Sequence, residues 1–133
     1  MTERTHAASL AGAALRIVAG AMFACHGVQK VLGLLATNPQ PAVGSQVWIG
    51  GLIELVGGAL IALGLFTRPA ALLASGTMAV AYFQFHWKLA TDHWKFLPIV
   101  NGGEPAVLYC FVFLVFAVSG AGALSIDSAR RRA

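Results

Sequence analysis

The amino-acid sequence predicts an all-α integral membrane protein, a bundle of four transmembrane helices. The chain has 133 residues, which is enough for a single domain. Hydrophobic residues make up 58% of it and charged residues 11%, whereas an ordinary soluble domain has about 25% charged residues. A soluble protein this small needs more polar surface than this composition supplies. The composition therefore argues against a soluble enzyme, a disordered protein and a disulfide-built scaffold.

Four apolar stretches are long enough to cross a bilayer, which takes about 20 residues per helix. We expect the spans at about residues 10–35, 47–66, 69–87 and 104–122. Longer connections, residues 36–46 and 88–103, lie on one side of the membrane, and Thr67 and Arg68 form a tight turn on the other. Helices are expected because each one satisfies its own backbone hydrogen bonds in lipid.

The distribution of basic residues predicts that both termini are cytoplasmic. An even number of spans puts the termini on one side, and that side carries more positive charge. The terminal side holds Arg4, Arg68 and Arg130–Arg132, and the other side holds Lys30, Lys88 and Lys95. Three tryptophans fall at the opposite boundary: Trp48, Trp87 and Trp94. No continuous basic face exists, which argues against nucleic acid as a partner, and we expect the terminal arginines to contact lipid headgroups.

Ionisable side chains inside the predicted spans are the main indication of a functional site, because they are costly in lipid. At about 1.5 Å per helical residue, they lie about 18–30 Å above the cytoplasmic helix ends, in the outer part of the bilayer. They come from all four spans: His26, Lys30, Glu54, His86 and Glu104. We therefore predict that these side chains converge on a polar cluster in the outer half of the membrane.

Local spacing agrees with this prediction. His26 and Lys30 are four residues apart, so they would share one face of an α-helix. Glu54 lies in a stripe of small residues at every fourth position, which lets helix backbones approach closely. The stripe consists of Gly50, Gly58 and Ala62. We expect it to turn Glu54 toward a neighbouring helix.

Each of these residues also has a structural interpretation. Lys30 can extend to the outer interface, and Glu104 can simply begin a helix, where a carboxylate suits the helix dipole. His86 can act as an interfacial aromatic residue. Glu54 can form a structural salt bridge to Lys30 or a hydrogen bond to a histidine.

Two further features are expected to be structural. Arg16 interrupts the first apolar stretch near the cytoplasmic face, where we predict an ion pair with Asp127 or with lipid phosphate. Cys25 and Cys110 are the two cysteines of the chain, and we expect both to be free because no spacing sets them at bonding distance.

The sequence resembles the DoxX family of small bacterial membrane proteins over nearly its whole length. The resemblance implies a four-helix protein of the bacterial inner membrane. It also implies a link to redox or sulfur handling, because the family is related to DoxD, a membrane subunit of a thiosulfate:quinone oxidoreductase. The matching motifs are Leu15-Arg16-Ile17-x-x-Gly20, His26-Gly27-x-x-Lys30, Gly51-x-x-Glu54-Leu55-x-Gly57-Gly58, Gly64-Leu65-x-Thr67-Arg68, His86, Asn101-Gly102-Gly103-Glu104 and Gly120-x-Gly122-x-x-Ser125-x-Asp127.

Three functional hypotheses follow. The first is a quinone-linked redox subunit in which Glu54, His26 and His86 are catalytic. In this hypothesis the ligand-binding residues are those three with Lys30, Asn101 and Glu104. The sequence has no haem, flavin or iron–sulfur motif, so electron delivery would need a redox partner subunit or an external reductant. Because four short spans make a small bundle, we expect a homodimer or a hetero-complex. The second hypothesis is a metal site made of His26, Glu54, His86 and Glu104. The third is a transporter or an accessory subunit, in which the polar cluster is structural.

Overall fold

The computed structural model describes residues 3–132, apart from the side chain of Arg4, so the predicted role of that cation lies outside the described residues. All regular secondary structure in this range is helical. The α-helices are α1 (Glu3–Gly27), α2 (Gln46–Leu63), α3 (Thr67–Ala81), α4 (Pro98–Asn101), α5 (Glu104–Ser119) and α6 (Ile126–Arg130). α1 continues into a π-helical segment, Val28–Leu32, and α3 into a second one, Tyr82–Trp87. A short 3-10 turn, Asp92–Trp94, precedes α4.

The longer helices pack as two close pairs, α1 with α2 and α3 with α5, and α2 contacts α3 less extensively. α1 and α2 are antiparallel, because Arg16 contacts Ile61 while Lys30 contacts Glu54. One end of the molecule, the arginine end, is defined by Arg16, Arg68 and Arg130. The opposite end, the lysine end, is defined by Lys30, Lys88 and Lys95.

The turn between α2 and α3 lies earlier in the chain than the sequence predicts. α2 ends at Leu63 because Gly64 takes a left-handed conformation with φ of 68°, which glycine adopts without steric cost. The N–H groups of Gly64 and Leu65 then donate to the carbonyls of Ile61 and Leu60, at 3.0 and 2.9 Å. The turn is therefore Gly64–Phe66, and the predicted turn residues already belong to α3.

α1 and α2 pack backbone against backbone. A Cβ atom on Gly20 would lie 2.5 Å from the backbone nitrogen of Ala62, and one on Gly58 would lie 2.6 Å from the carbonyl oxygen of Gly20. Gly27 has the same relation to α2, since its Cβ would lie 2.6 Å from the carbonyl oxygen of Gly51. The predicted small-residue stripe is thus correct at Gly58 and Ala62. It is wrong at Gly50, where the space beside the Cα atom is open.

The surface of the helices is apolar. Of the helices in the described range, two are long and apolar enough to cross a membrane, at Thr5–Leu32 and Gln46–Leu63. α5 is apolar but shorter, with 16 residues. Large exposed side chains include Val18, Leu72, Leu108, Phe111 and Val118. Contiguous apolar surface of this kind is typical of contact with lipid or with a protein partner.

We predict that Gly27→Ala weakens the α1–α2 contact, because the added methyl group overlaps the backbone of Leu55. The free energy of unfolding should fall by about 2–3 kcal/mol, the upper range for overpacking a close contact. Unfolding with SDS in mixed micelles would measure the loss. Gly12→Ala is the matched control, since nothing lies within 4 Å of its added methyl group. Equal stability of the two variants would contradict the close contact.

Candidate functional site

Lys30 and Glu54 form an ion pair between α1 and α2. Lys30 Nζ lies 2.6 Å from Glu54 Oε1. The Glu54 side chain is 4% exposed and that of Lys30 is 34% exposed, so the carboxylate is buried and the ammonium reaches the surface. Glu54 Oε2 is buried and has no hydrogen-bond partner in the described part of the chain. The pair thus leaves one buried acceptor atom free.

Lys30 and His86 both lie in π-helical segments. A π-helical turn holds an extra residue compared with an α-helical turn, and such turns are frequent at functional sites. His26 and Lys30 contact different helices, since the His26 ring packs against Tyr109 of α5 and Lys30 pairs with Glu54 of α2. The predicted meeting of His26 and Lys30 at one site is therefore not observed. His86 lies in the second π-helical segment, and no residue pattern in the sequence indicated either segment.

A groove of about 770 Å³ runs between α2 and α3 beside the ion pair. Its polar lining includes Lys30, Glu54 and His86, and most of its wall is apolar. Three of the wall residues, Leu72, Leu73 and Val80, are also among the exposed hydrophobic residues. The groove therefore opens onto the apolar surface of the protein. Its volume is in the range of sites for small organic ligands, about 300–1,000 Å³.

A second cavity, of about 260 Å³, lies under the loop that follows α1. Lys30 and Val47 line both this cavity and the groove. Two glutamines fix the loop. The side-chain N–H groups of Gln29 and Gln40 donate to the carbonyls of Leu35 and Val31, at 2.9 and 2.5 Å. Lys30 thus lies between the groove, which opens onto the apolar surface, and the cavity beneath the loop.

Three predicted site residues lie away from the groove. His26 is exposed and its ring packs against Tyr109, with 6.3 Å between the ring centroids. Glu104 is exposed at the first residue of α5. Asn101 holds the loop at the lysine end, donating to the carbonyl of Lys95 at 2.8 Å and accepting from the N–H of Gly103 at 2.8 Å. The predicted convergence of all these residues on one cluster is therefore not observed.

The alternative metal site lacks a gathered set of ligands. In residues 3–132, no three His, Cys, Asp or Glu side chains lie close enough together to hold a metal ion. Glu54 and His86 share the groove, while His26 and Glu104 are exposed outside it. The charged partner of Glu54 is the Lys30 ammonium, which is not a metal ligand.

Arg16 is buried at the arginine end, where it bonds to backbone carbonyls. It is 0% exposed and donates to Ile61 and Ala62 at the end of α2, both at 3.2 Å. It also donates to Ala123 and Leu124 before α6, at 3.4 and 2.8 Å. Arg16 belongs to none of the salt bridges among the described residues. The predicted direct ion pair with Asp127 is therefore not observed, and backbone carbonyls take its place.

Asp127 instead caps the start of α3. Its two carboxylate oxygens accept hydrogen bonds from the backbone N–H groups of Phe66 and Thr67, both at 3.0 Å. Partial burial by itself raises the pKa of Asp127. The hydrogen bonds from the two N–H groups and the charge of Arg131 outweigh burial and hold this pKa below its ordinary value of 3.8.

The fold and the site together define a small helical membrane protein with a groove open to its apolar surface. The sequence matches the DoxX family over residues 11–87, more than half of the chain, and the chain belongs to that family of membrane proteins. A protein from Haemophilus influenzae, described as an uncharacterized protein, is 47% identical over 117 residues, which cover 86% of each chain. No solved structure matches the chain.

We predict that Asp127→Asn destabilises the protein at neutral pH by about 1 kcal/mol, the typical value of a helix cap. Because the pKa of Asp127 is lowered by folding, its contribution is complete above pH 3.8 and is lost as the pH falls through the lowered value. Unfolding at pH 7 and at pH 3 would show the difference between the two proteins shrinking. Glu3→Gln, which removes an exposed carboxylate from the first turn of α1, should show no comparable loss at neutral pH. A constant difference at both pH values would contradict the assignment.

Because Lys30 and Glu54 interact, we predict that substitutions of the two residues have strongly non-additive effects on the free energy of unfolding. Lys30→Met leaves the Glu54 carboxylate buried without its partner and should cost about 3 kcal/mol of unfolding free energy. Glu54→Gln in the same protein should restore most of that loss, because no buried charge remains. SDS unfolding of the single variants and the double variant would measure the coupling. Simple addition of the two single effects would show that the side chains do not interact.

Proposed function

We propose that this protein binds a membrane-soluble molecule with a polar head group in the groove between α2 and α3, and that a quinone is this ligand. The observation that carries the proposal is the position of the Lys30–Glu54 pair, whose two residues line a groove that opens onto the apolar surface and whose carboxylate keeps one oxygen without a partner among the described residues. An apolar tail would lie along the exposed leucines and valine of the wall. A polar head would complete the hydrogen bonding of the carboxylate.

The side chains of the groove suit the two ends of a quinone reaction. The Lys30 ammonium can donate a hydrogen bond to a quinone carbonyl and stabilise negative charge on it. Glu54 Oε2 can accept a hydrogen bond from a quinol hydroxyl and serve as the proton acceptor. His86 supplies a further donor or acceptor along the wall. Oxidation of a quinol releases two electrons and two protons: Glu54 takes one proton and His86 the other, and we assign the electrons to a redox partner subunit. Reduction of a quinone runs the same transfers in reverse.

We further propose that α1, α2, α3 and α5 form a four-helix bundle in the bacterial inner membrane, with both termini in the cytoplasm. The arginine end carries Arg68 and Arg130–Arg132, which favours the cytoplasmic side. The lysine end carries the tryptophans Trp48, Trp87 and Trp94, as expected of the opposite interface. This orientation puts the Lys30–Glu54 pair in the outer half of the bilayer, and pairing of two copies would cover part of the apolar surface.

Native mass spectrometry of gently solubilised protein tests the proposal. We expect the wild-type protein to retain a quinone, and Glu54→Gln to lower the retained fraction at least tenfold, because the charged acceptor is lost. Gly76→Leu should have the same effect by a different route. Gly76 lines the groove and has open space beside its Cα atom, so a leucine would fill the groove without disturbing the ion pair.

The matched controls lie outside the groove. Gly12→Leu adds the same side chain at another open position, and Glu104→Gln removes an exposed carboxylate at the lysine end. Both should leave quinone retention unchanged. Protein that is empty of small molecules but carries additional subunits would reject ligand binding and favour the accessory role. Quinone retention that survives both Glu54→Gln and Gly76→Leu would place the ligand elsewhere.

A further inference from the structure

The arginine end carries a second cavity, unrelated to the groove. Its volume is about 370 Å³, and it lies where α3 begins, where α5 ends and where α6 turns back. Arg68, Arg130 and Arg131 all line it, together with a single carboxylate, that of Asp127. Three arginine residues from two separate segments of the chain therefore meet around one cavity.

The positive charge of this cavity is not balanced by the part of the chain that the structure describes. None of the three arginines belongs to a salt bridge among residues 3–132. Asp127 directs both of its carboxylate oxygens to the backbone N–H groups of Phe66 and Thr67. The start of α3 is thereby already capped, and any anion in the cavity would have to be held by the arginines.

Backbone and aromatic contacts position the three side chains. The Arg130 guanidinium carbon lies over the Phe66 ring, 5.8 Å from its centroid. Arg131 Nε donates to the carbonyl of Asp127 at 3.3 Å, and its two terminal nitrogens have no hydrogen-bond partner among residues 3–132. Arg68 packs beside Gly120, where a Cβ atom would lie 3.2 Å from Arg68 Nε. The absence of a side chain at Gly120 is what gives Arg68 its place at the cavity.

Exposed apolar residues near the cavity indicate where it would lie relative to the membrane surface. Phe66 is 58% exposed and Leu124 is 70% exposed, and Leu63 at the end of α2 is exposed as well. Guanidinium groups bordered by exposed apolar side chains match the boundary between acyl chains and headgroups, where arginine binds phosphate with paired hydrogen bonds. Free phosphate in solution would use the same guanidinium groups but would gain nothing from the apolar border.

We infer that Arg68, Arg130 and Arg131 form a binding site for the phosphate group of an anionic membrane lipid. The lipid headgroup occupies the cavity at the arginine end, and its acyl chains lie along the exposed Phe66 and Leu124 side chains. The bound phosphate supplies the negative charge that this end of the protein lacks.

Lipid retention in native mass spectrometry tests this site, with protein taken from bilayers of phosphatidylglycerol and phosphatidylcholine. The wild-type protein should retain phosphatidylglycerol preferentially. Arg68→Gln with Arg130→Gln should lower that retention about 25-fold, from about fivefold for each arginine near the surface. The matched control removes two cations from the lysine end, Lys88→Gln with Lys95→Gln, and should leave retention unchanged.

Three results would overturn the inference. Equal loss of phosphatidylglycerol in both double variants would show a general effect of net charge. A second contrary result has two parts: millimolar inorganic phosphate displaces the lipid completely, and it stabilises the lipid-free protein as well as the lipid does. Free phosphate would then be the ligand. If the arginine variant does not fold, photo-crosslinking of wild-type protein with photoactivatable phosphatidylglycerol tests the same site. Crosslinks at residues 66–68 or 120–131 support the site, and crosslinks confined to other segments reject it.

Discussion

The arrangement of the helices depends on the buried Arg16 guanidinium. An isolated charge in an apolar interior is very costly unless it is hydrogen-bonded, and here four carbonyl oxygens surround it. Two of them are at the end of α2, where carbonyls lack partners within their own helix, and two belong to the segment before α6. One side chain of α1 therefore joins the end of α2 to the segment by which the chain returns after α5. Gly64 is required beside it, because a Cβ atom there would overlap the guanidinium.

This constraint has consequences at the opposite end of the molecule. α1 and α2 approach each other closely at four glycines, Gly20, Gly27, Gly51 and Gly58. α3 is held chiefly by α5, and it meets α2 less extensively. The space that remains between α2 and α3 becomes the groove. Lys30 and Glu54 line this groove. Lys30 can approach α2 there because Gly51 has no side chain: the Cβ atom of Lys30 lies 2.6 Å from the position that a Gly51 Cβ atom would take.

The sequence indicates the helical class and the residues of the ion pair, because composition and charged residues in apolar stretches follow directly from the cost of burial. It does not indicate which of the ionisable residues meet. Spacing at 3.6 residues per turn puts His26 and Lys30 on one face, yet His26 packs against Tyr109 of α5 and Lys30 pairs with Glu54 of α2. The predicted depths of Glu54 and Glu104 both fall in the outer part of the bilayer, but depth carries no information on rotation about the helix axis. The cap from Asp127 to α3 joins residues 60 positions apart, which no local pattern reveals.

Stability alone does not explain why the Lys30–Glu54 ion pair is present. Apolar side chains of similar volume often replace a buried ion pair without loss of stability, and 58% of this chain is hydrophobic already. A structural pair would also be expected to satisfy both carboxylate oxygens, since a buried acceptor without a partner costs about 1–3 kcal/mol. Glu54 keeps Oε2 without a partner among the described residues, and the same residue lines the groove. This combination of an energetic cost with a cavity favours a ligand site over a purely structural network.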